Sequence, residues 1–142
     1  TEQRPVVQPS KKAIPIKVVV GVLQKDGLFF IQQRPANGLM ADLWEFPGGK
    51  INQGEKPEDA LVREFQEELQ FSIQVEKKIT TLKHGYTNFS VTLHAYLCKL
   101  IPENQSPILH FASDYRWIKS EDFRAYAFPA ANRRLINLLI KL

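Results

Sequence analysis

Residues Gly49 to Phe71, GKINQGEKPEDALVREFQEELQF, hold the strongest structural signal in the chain. Lys56-Pro57-Glu58-Asp59 starts a helix, because proline suits the first turn and acids there favour the positive end of the helix dipole. Leu61, Phe65 and Leu69 follow at i, i+4 and i+8, an apolar stripe that must face a core. Glu64, Glu67 and Glu68, at i, i+3 and i+4, share another face. Three carboxylates so placed repel by roughly a few tenths of a kcal/mol per pair, so either water solvates them or a cation holds them together. A hard divalent cation such as Mg²⁺ takes oxygen ligands and bridges carboxylates to substrate phosphates, so the ligand expected here carries phosphate. Just upstream, Gly48-Gly49 predicts a tight turn where backbone groups approach a metal or a phosphate with no Cβ in the way. On these features alone, a plain turn before a solvated acidic helix is the alternative.

The charge distribution points the same way. The chain of 142 residues carries a formal net charge of +4, yet Glu55–Glu68 holds six acids and two bases, a local charge of −4. That leaves 17 bases and 9 acids elsewhere, or +8, so one acidic patch sits in a basic surround. Such a split suits a cation site facing a polyanion. A hydrophobic fraction of 44% and this length give one globular domain. No apolar run reaches about 18 residues, which argues against a membrane span. Cys98 is the single cysteine and cannot form an internal disulfide, which points to a reducing cytoplasm.

Outward from the acidic helix, the elements order themselves. Residues 1–15, with Pro5, Pro9 and Pro15 and the Lys11-Lys12 pair, read as an extended arm or linker remnant preceding a domain over 16–142. The N-terminus lacks an initiator Met and a signal core, as expected of a processed, trimmed or excised chain. Ile16–Leu23 and Leu28–Ile31 are strands joined at Lys25-Asp26-Gly27. Leu43–Phe46 is a short extended piece, and Gln74–Leu82, Phe89–Leu100 and Tyr115–Ile118 are further strands. Ser120-Glu121-Asp122 caps a short helical turn, and Pro129–Leu142 forms a terminal helix. Strands, helix, strands and helix in that order predict an α/β (α+β) domain, a mixed sheet with helices packed on it. There is no G-x-G-x-x-G and no G-K-[ST], which excludes dinucleotide and P-loop folds.

The spacing from Gly49 to Glu55, to Arg63-Glu64 and on to Glu67-Glu68, Leu69 and Phe71 resembles the Nudix box, G-x5-E-x7-R-E-U-x-E-E-x-G-U, with U apolar. Only its late glycine is replaced, by Gln70, which must take a left-handed conformation or end the helix differently. The resemblance implies a Nudix fold with a loop–helix–loop box. It implies Glu64, Glu67 and Glu68 as carboxylates for Mg²⁺, with Mn²⁺ as the alternative, and the Gly48 carbonyl as a backbone ligand. It also implies that Arg63 orients Glu64 and that Glu55 supports the loop and the metal waters; that both only brace the loop is the alternative.

Gln33-Arg34-Pro35, Leu43–Lys50 and Phe128-Pro129-Ala130-Ala131-Asn132 are similar to the MutT branch, whose members hydrolyse nucleoside triphosphates to monophosphate and pyrophosphate. On that analogy Asn132 reads an oxidised guanine such as that of 8-oxo-dGTP, an amide being able to donate and accept at once, and Arg34 and Phe46 line the base pocket. Asn132 as a plain helix-end residue and Phe46 as plain core are the alternatives. MutT-type enzymes place a further Glu in the loop corresponding to Leu109–Asp114, where this chain has only Asp114; either a box carboxylate is then the base or turnover is weak. A second resemblance, to the C-terminal 8-oxoguanine-recognition domain of A/G-specific adenine glycosylases (MutY), rests on the Lys11-Lys12 arm, Leu82–Leu93, Tyr115-Arg116-Trp117 and Tyr126–Pro129. It implies that His84, Tyr86, Thr87 and Ser90 face DNA containing 8-oxoguanine, with Lys11, Lys12, Lys83, Arg133 and Arg134 directed at phosphates. A monomer is expected in either case. Trp44 and Trp117 are expected in the core or a pocket wall, and Cys98 buried and inert.

Overall fold

A computed structural model describes residues 13–140. Seven strands form one mixed sheet: β1 (Ile14–Lys25), β2 (Leu28–Gln33), β3 (Trp44–Glu45), β4 (Gly48–Lys50), β5 (Ile73–Gly85), β6 (Phe89–Leu100) and β7 (Asp114–Ile118). Among the described residues two α-helices accompany these seven strands, α1 (Pro57–Leu69) and α2 (Ala130–Ile140), with a 3-10 turn at Ser120–Ala125. The path runs β3-β2-β1-β6-β5, with β4 beside β1 and β7 beside β2. The pairing of β1 with β6 is parallel, from Ile14↔Phe89 to Leu23↔Cys98.

The physical reason β1 reads as a continuous apolar run rather than an alternating one is that both of its faces are covered. Val20 and Val22 belong to the core under α2, with Ile31, Phe46, Leu93 and Leu135. Val19 and Leu23 belong to the opposite core, with Phe30, Leu61, Phe65 and Leu69 of the α1 side. Helix α1 lies so close to the sheet that a Cβ on Gly21 would stand 2.7 Å from the Phe65 ring. The stripe of Leu61, Phe65 and Leu69 is fully buried, as the helical spacing requires. The hairpin at Asp26-Gly27 has positive φ at both residues, 53° and 77°, the geometry that matches the twist of the flanking strands.

Two expectations are corrected. Gly48-Gly49 is not a turn: Gly48–Lys50 is a strand, paired with Val18–Val20 of β1. Short strands with no β-branched residue carry no period to read, and only the tertiary partner reveals them. The supposed arm also ends earlier than Pro15, because Ile14 and Pro15 already pair with Phe89 and Ser90; at the tip of a strand the missing N–H of proline is tolerated. Residues 1–12, with Pro5, Pro9, Lys11 and Lys12, and the helix end at Leu142 lie outside the described residues. Among the described residues, no helix is long and apolar enough to cross a membrane.

Candidate active site

Helix α1 begins at Lys56, which is extended at φ −73° and ψ 145°, with proline next in line and Glu58 and Asp59 in the first turn. Its buried stripe fixes its rotation against the sheet, and that rotation decides where the glutamates go. Glu64 and Glu68 lie on the half-buried flank, while Glu67 keeps 58% of its side chain exposed.

Arg63 ties the box together. Its Nε and Nη2 donate to the two oxygens of Glu55 at 2.8 and 2.9 Å. Nη2 also donates to the Lys50 carbonyl at 3.1 Å, and Nη1 reaches Glu67 at 3.1 Å and Glu64 at 3.4 Å. Glu55 in turn accepts from the Asn52 N–H at 3.0 Å, closing the loop ahead of the helix. The Arg63 guanidinium and the Asn52 amide hold the Glu55 carboxyl down at about 2. A planar fork with five donors is what allows one side chain to hold strand, loop and helix at once.

Glu64 and Glu68 are in the opposite electrostatic situation. Burial, and then the neighbouring Glu64 charge, push the Glu68 carboxyl up to about 8, against the opposing hydrogen bond from Gln32. Glu64 is raised as well, by burial first. Gly49 lies directly beneath: a Cβ there would fall onto the Glu64 carboxylate. Among the described residues no three His, Cys, Asp or Glu side chains converge as a closed metal cage would. The donor set nevertheless suits a hard cation that keeps waters, because two partly desolvated carboxylates, Glu64 and Glu68, repel each other while Glu67 on the same helix stays exposed.

Glu64, Glu68, Arg63 and Gly49 line a cavity of about 480 Å³, within the usual range for a small-molecule site. Glu55 and Glu67 do not line it. Apolar side chains of Val18 and Val20 of β1 and Val91 and Leu93 of β6 share its wall with Phe46 and Asn132. The Asn132 Oδ1 accepts from the Phe46 N–H at 3.1 Å, so the amide is fixed to the backbone between β3 and β4. Arg34 also lines the cavity, donating to Glu45 at 2.7 Å and to the Leu39 carbonyl at 2.9 Å, with its guanidinium over the Phe111 ring.

The remaining residues singled out in the sequence take up varied places in the fold. Tyr86, expected to face DNA, lines the cavity, and its hydroxyl accepts from the Ala131 N–H at 3.1 Å at the start of α2. Arg133 and Arg134 donate to the Phe128 and Lys83 carbonyls, both at 2.6 Å, and so tie α2 to its neighbours. Asp114 binds Arg116 at 2.6 Å and does not line the cavity. Trp44 packs on Tyr126 and Trp117 on Phe30. Cys98 is buried, and desolvation raises its thiol well above the usual range. Gln70 is left-handed at φ 52° and ψ 35°, and its N–H still bonds to the Gln66 carbonyl. The Ile108 and His110 N–H groups satisfy the last carbonyls of α1, at Leu69 and Glu68.

Sequence reasoning missed Gln32, Glu45 and Phe111. The available signal was Glu45 itself, a lone charge between Trp44 and Phe46 whose cross-strand partner is Gln32.

Helix, glycine strand and cleft bring half-buried carboxylates to the wall of a cavity of small-molecule size. The chain belongs to the Nudix family, whose NUDIX domain matches residues 18–138. A CTP pyrophosphohydrolase of Escherichia coli is 30% identical over 128 residues, 89% of this chain and 93% of that one. An 8-oxo-dGTP diphosphatase of the same organism is 32% identical over 128 residues, covering 89% and 98%. The solution structure of the E. coli ORF135 protein has a TM-score of 0.77 and 27% identity over 93% of each chain. The chain is a Nudix pyrophosphohydrolase, an enzyme that cleaves nucleotide diphosphate linkages.

Proposed function

We propose that this enzyme hydrolyses nucleoside triphosphates to the monophosphate and pyrophosphate, with Mg²⁺ as cofactor and oxidised purine nucleotides such as 8-oxo-dGTP as substrates. The observation that carries this reading is the polarity of one cavity. Its wall holds the carboxylates Glu64 and Glu68 together with apolar side chains and Asn132, whose Oδ1 is bonded to the Phe46 backbone.

Glu64, Glu67, Glu68 and the Gly48 carbonyl would hold the cation, which when bound neutralises phosphate charge and acidifies a water. Arg63 and Glu55 fix the loop against the helix, so the carboxylates meet the substrate already aligned. Asn132 presents its amide to the base edge, with Oδ1 already engaged by Phe46. Phe46 and the valines of β1 and β6 exclude water from the base. Because Asp114 is committed to Arg116, the water proton passes to a carboxylate of α1 itself.

The test is pyrophosphate release from 8-oxo-dGTP, dGTP and CTP with Mg²⁺, in wild type and Glu67→Gln. Preference for 8-oxo-dGTP, lost in the variant, supports the proposal. Preference for CTP refutes the substrate class, and no release from any triphosphate refutes the reaction. In that last case, salt-dependent binding of duplex DNA with 8-oxoguanine opposite adenine would favour the recognition-domain reading.

A further inference from the structure

Gln32 is completely buried, on β2, next to two acids that line the cavity. Its Nε2 donates to Glu45 Oε2 at 2.8 Å and reaches Glu68 Oε1 at 3.4 Å. The amide can face these groups only with its NH₂. Reversed, Oε1 would stand 2.8 Å from Glu45 Oε2, an acceptor against an acceptor. In the orientation that satisfies the carboxylates, Oε1 has no hydrogen-bond partner. An orphaned buried acceptor destabilises the fold, and an apolar side chain of the same size would avoid that penalty. The amide therefore serves the two carboxylates, not the packing.

Those carboxylates belong to different parts of the site. Glu45 is held on its other side by Arg34, whose guanidinium lies over Phe111. Glu68 is a carboxylate of the acidic helix. One NH₂ group thus links the chain Phe111–Arg34–Glu45 to Glu68, across the gap between β2 and α1. Without it, two carboxylates would face each other at that boundary with no donor between them.

We propose that Gln32 is a positioning residue that holds the Glu68 carboxylate in register for cation binding and couples it, through Glu45, to Arg34 in the wall of the cleft. The proposal rests on the reading of Glu68 as a metal ligand. Outer residues that orient metal ligands typically change metal affinity or activity by roughly 10–100-fold when removed. Because the contact to Glu68 is long, we place the effect at the lower end, about tenfold.

The test is Mn²⁺ binding to the nucleotide-free protein, followed by EPR, with Mg²⁺-dependent steady-state kinetics alongside. The variants are Gln32→Met, which keeps the volume and removes the amide, and Gln32→Asn, which keeps an amide but draws it back by one methylene. Both are expected to weaken Mn²⁺ binding and lower kcat by about tenfold, with KM for the nucleotide changed by less than about twofold. If Gln32→Met does not fold, Gln32→Asn alone decides. Lowered thermal stability with Mn²⁺ affinity and kcat like wild type would show a merely structural residue and overturn the proposal. Failure of the wild type itself to bind Mn²⁺ and to hydrolyse any triphosphate would instead overturn the functional reading beneath it.

Discussion

Adjacent glycines at 48 and 49 are expected to fail in different ways when given a methyl group. At Gly48 an added Cβ would lie on the Val19 carbonyl oxygen and 2.8 Å from the Val20 Cα, so only backbone can yield. Overpacking of this kind costs about 2–3 kcal/mol, which in a domain of this size lowers Tm by roughly 8–12 °C. At Gly49 the obstacle is the end of the Glu64 side chain, with Oε1 at 2.9 Å and the rest of the carboxylate closer. That carboxylate can swing aside for about 1 kcal/mol, or roughly 4 °C. The swing takes Glu64 out of the cation site, and a displacement near 1 Å at a reacting centre can lower the rate by about 100-fold. Differential scanning fluorimetry and Mg²⁺-dependent pyrophosphate release on Gly48→Ala and Gly49→Ala separate the two. Gly49→Ala is expected to remain folded and lose kcat; Gly48→Ala is expected to lose Tm. If Gly49→Ala keeps its kcat within about threefold of wild type, Glu64 is not positioned by its contact with this glycine and the reasoning fails.

Further outcomes follow from the same geometry. With Glu68 raised to about 8 and Glu64 raised too, the cation-free fold holds protons that the unfolded chain releases above pH 4.5. Its stability should therefore decline as pH rises from about 5 to 8. Mg²⁺ should offset the loss and Glu68→Gln should flatten it; a Tm in EDTA that does not fall over this range, relative to Glu68→Gln, contradicts the assignment. Glu55 contributes in the opposite direction, but only as pH falls from 4.5 toward 2. Asn132→Ala removes the acceptor of the Phe46 N–H, so it should lower stability by about 1–3 kcal/mol and raise KM for 8-oxo-dGTP more than for CTP; equal KM changes would remove Asn132 from base recognition. Cys98 should react with a thiol reagent only after unfolding, and rapid labelling of the native protein would show that its side of the core opens.

Much of the architecture was legible because it rests on short-range physics. The stripe of Leu61, Phe65 and Leu69 needs only the helical repeat, and Asp26-Gly27 needs only turn stereochemistry. The strand at Gly48–Lys50 was not legible, since three residues without a period are extended only because β1 lies beside them. The same holds for Gln32 and Glu45. Polar residues in a strand are ordinarily solvent-facing, and only the β2–β3 register, with α1 over it, turns them toward Glu68.

By itself, the sequence determined the elements that repeat or turn locally, and the spacing of Glu55, Arg63, Glu64, Glu67 and Glu68 that marks the family. Both are properties of neighbours along the chain, a few residues apart. Only the tertiary structure decided which carboxylates are desolvated, that Gly49 makes room for one of them, and that Tyr86 lines the cleft. Burial and electrostatic environment come from groups far apart in sequence, such as Gln32 and Glu68 or Phe46 and Asn132. No local pattern can contain them.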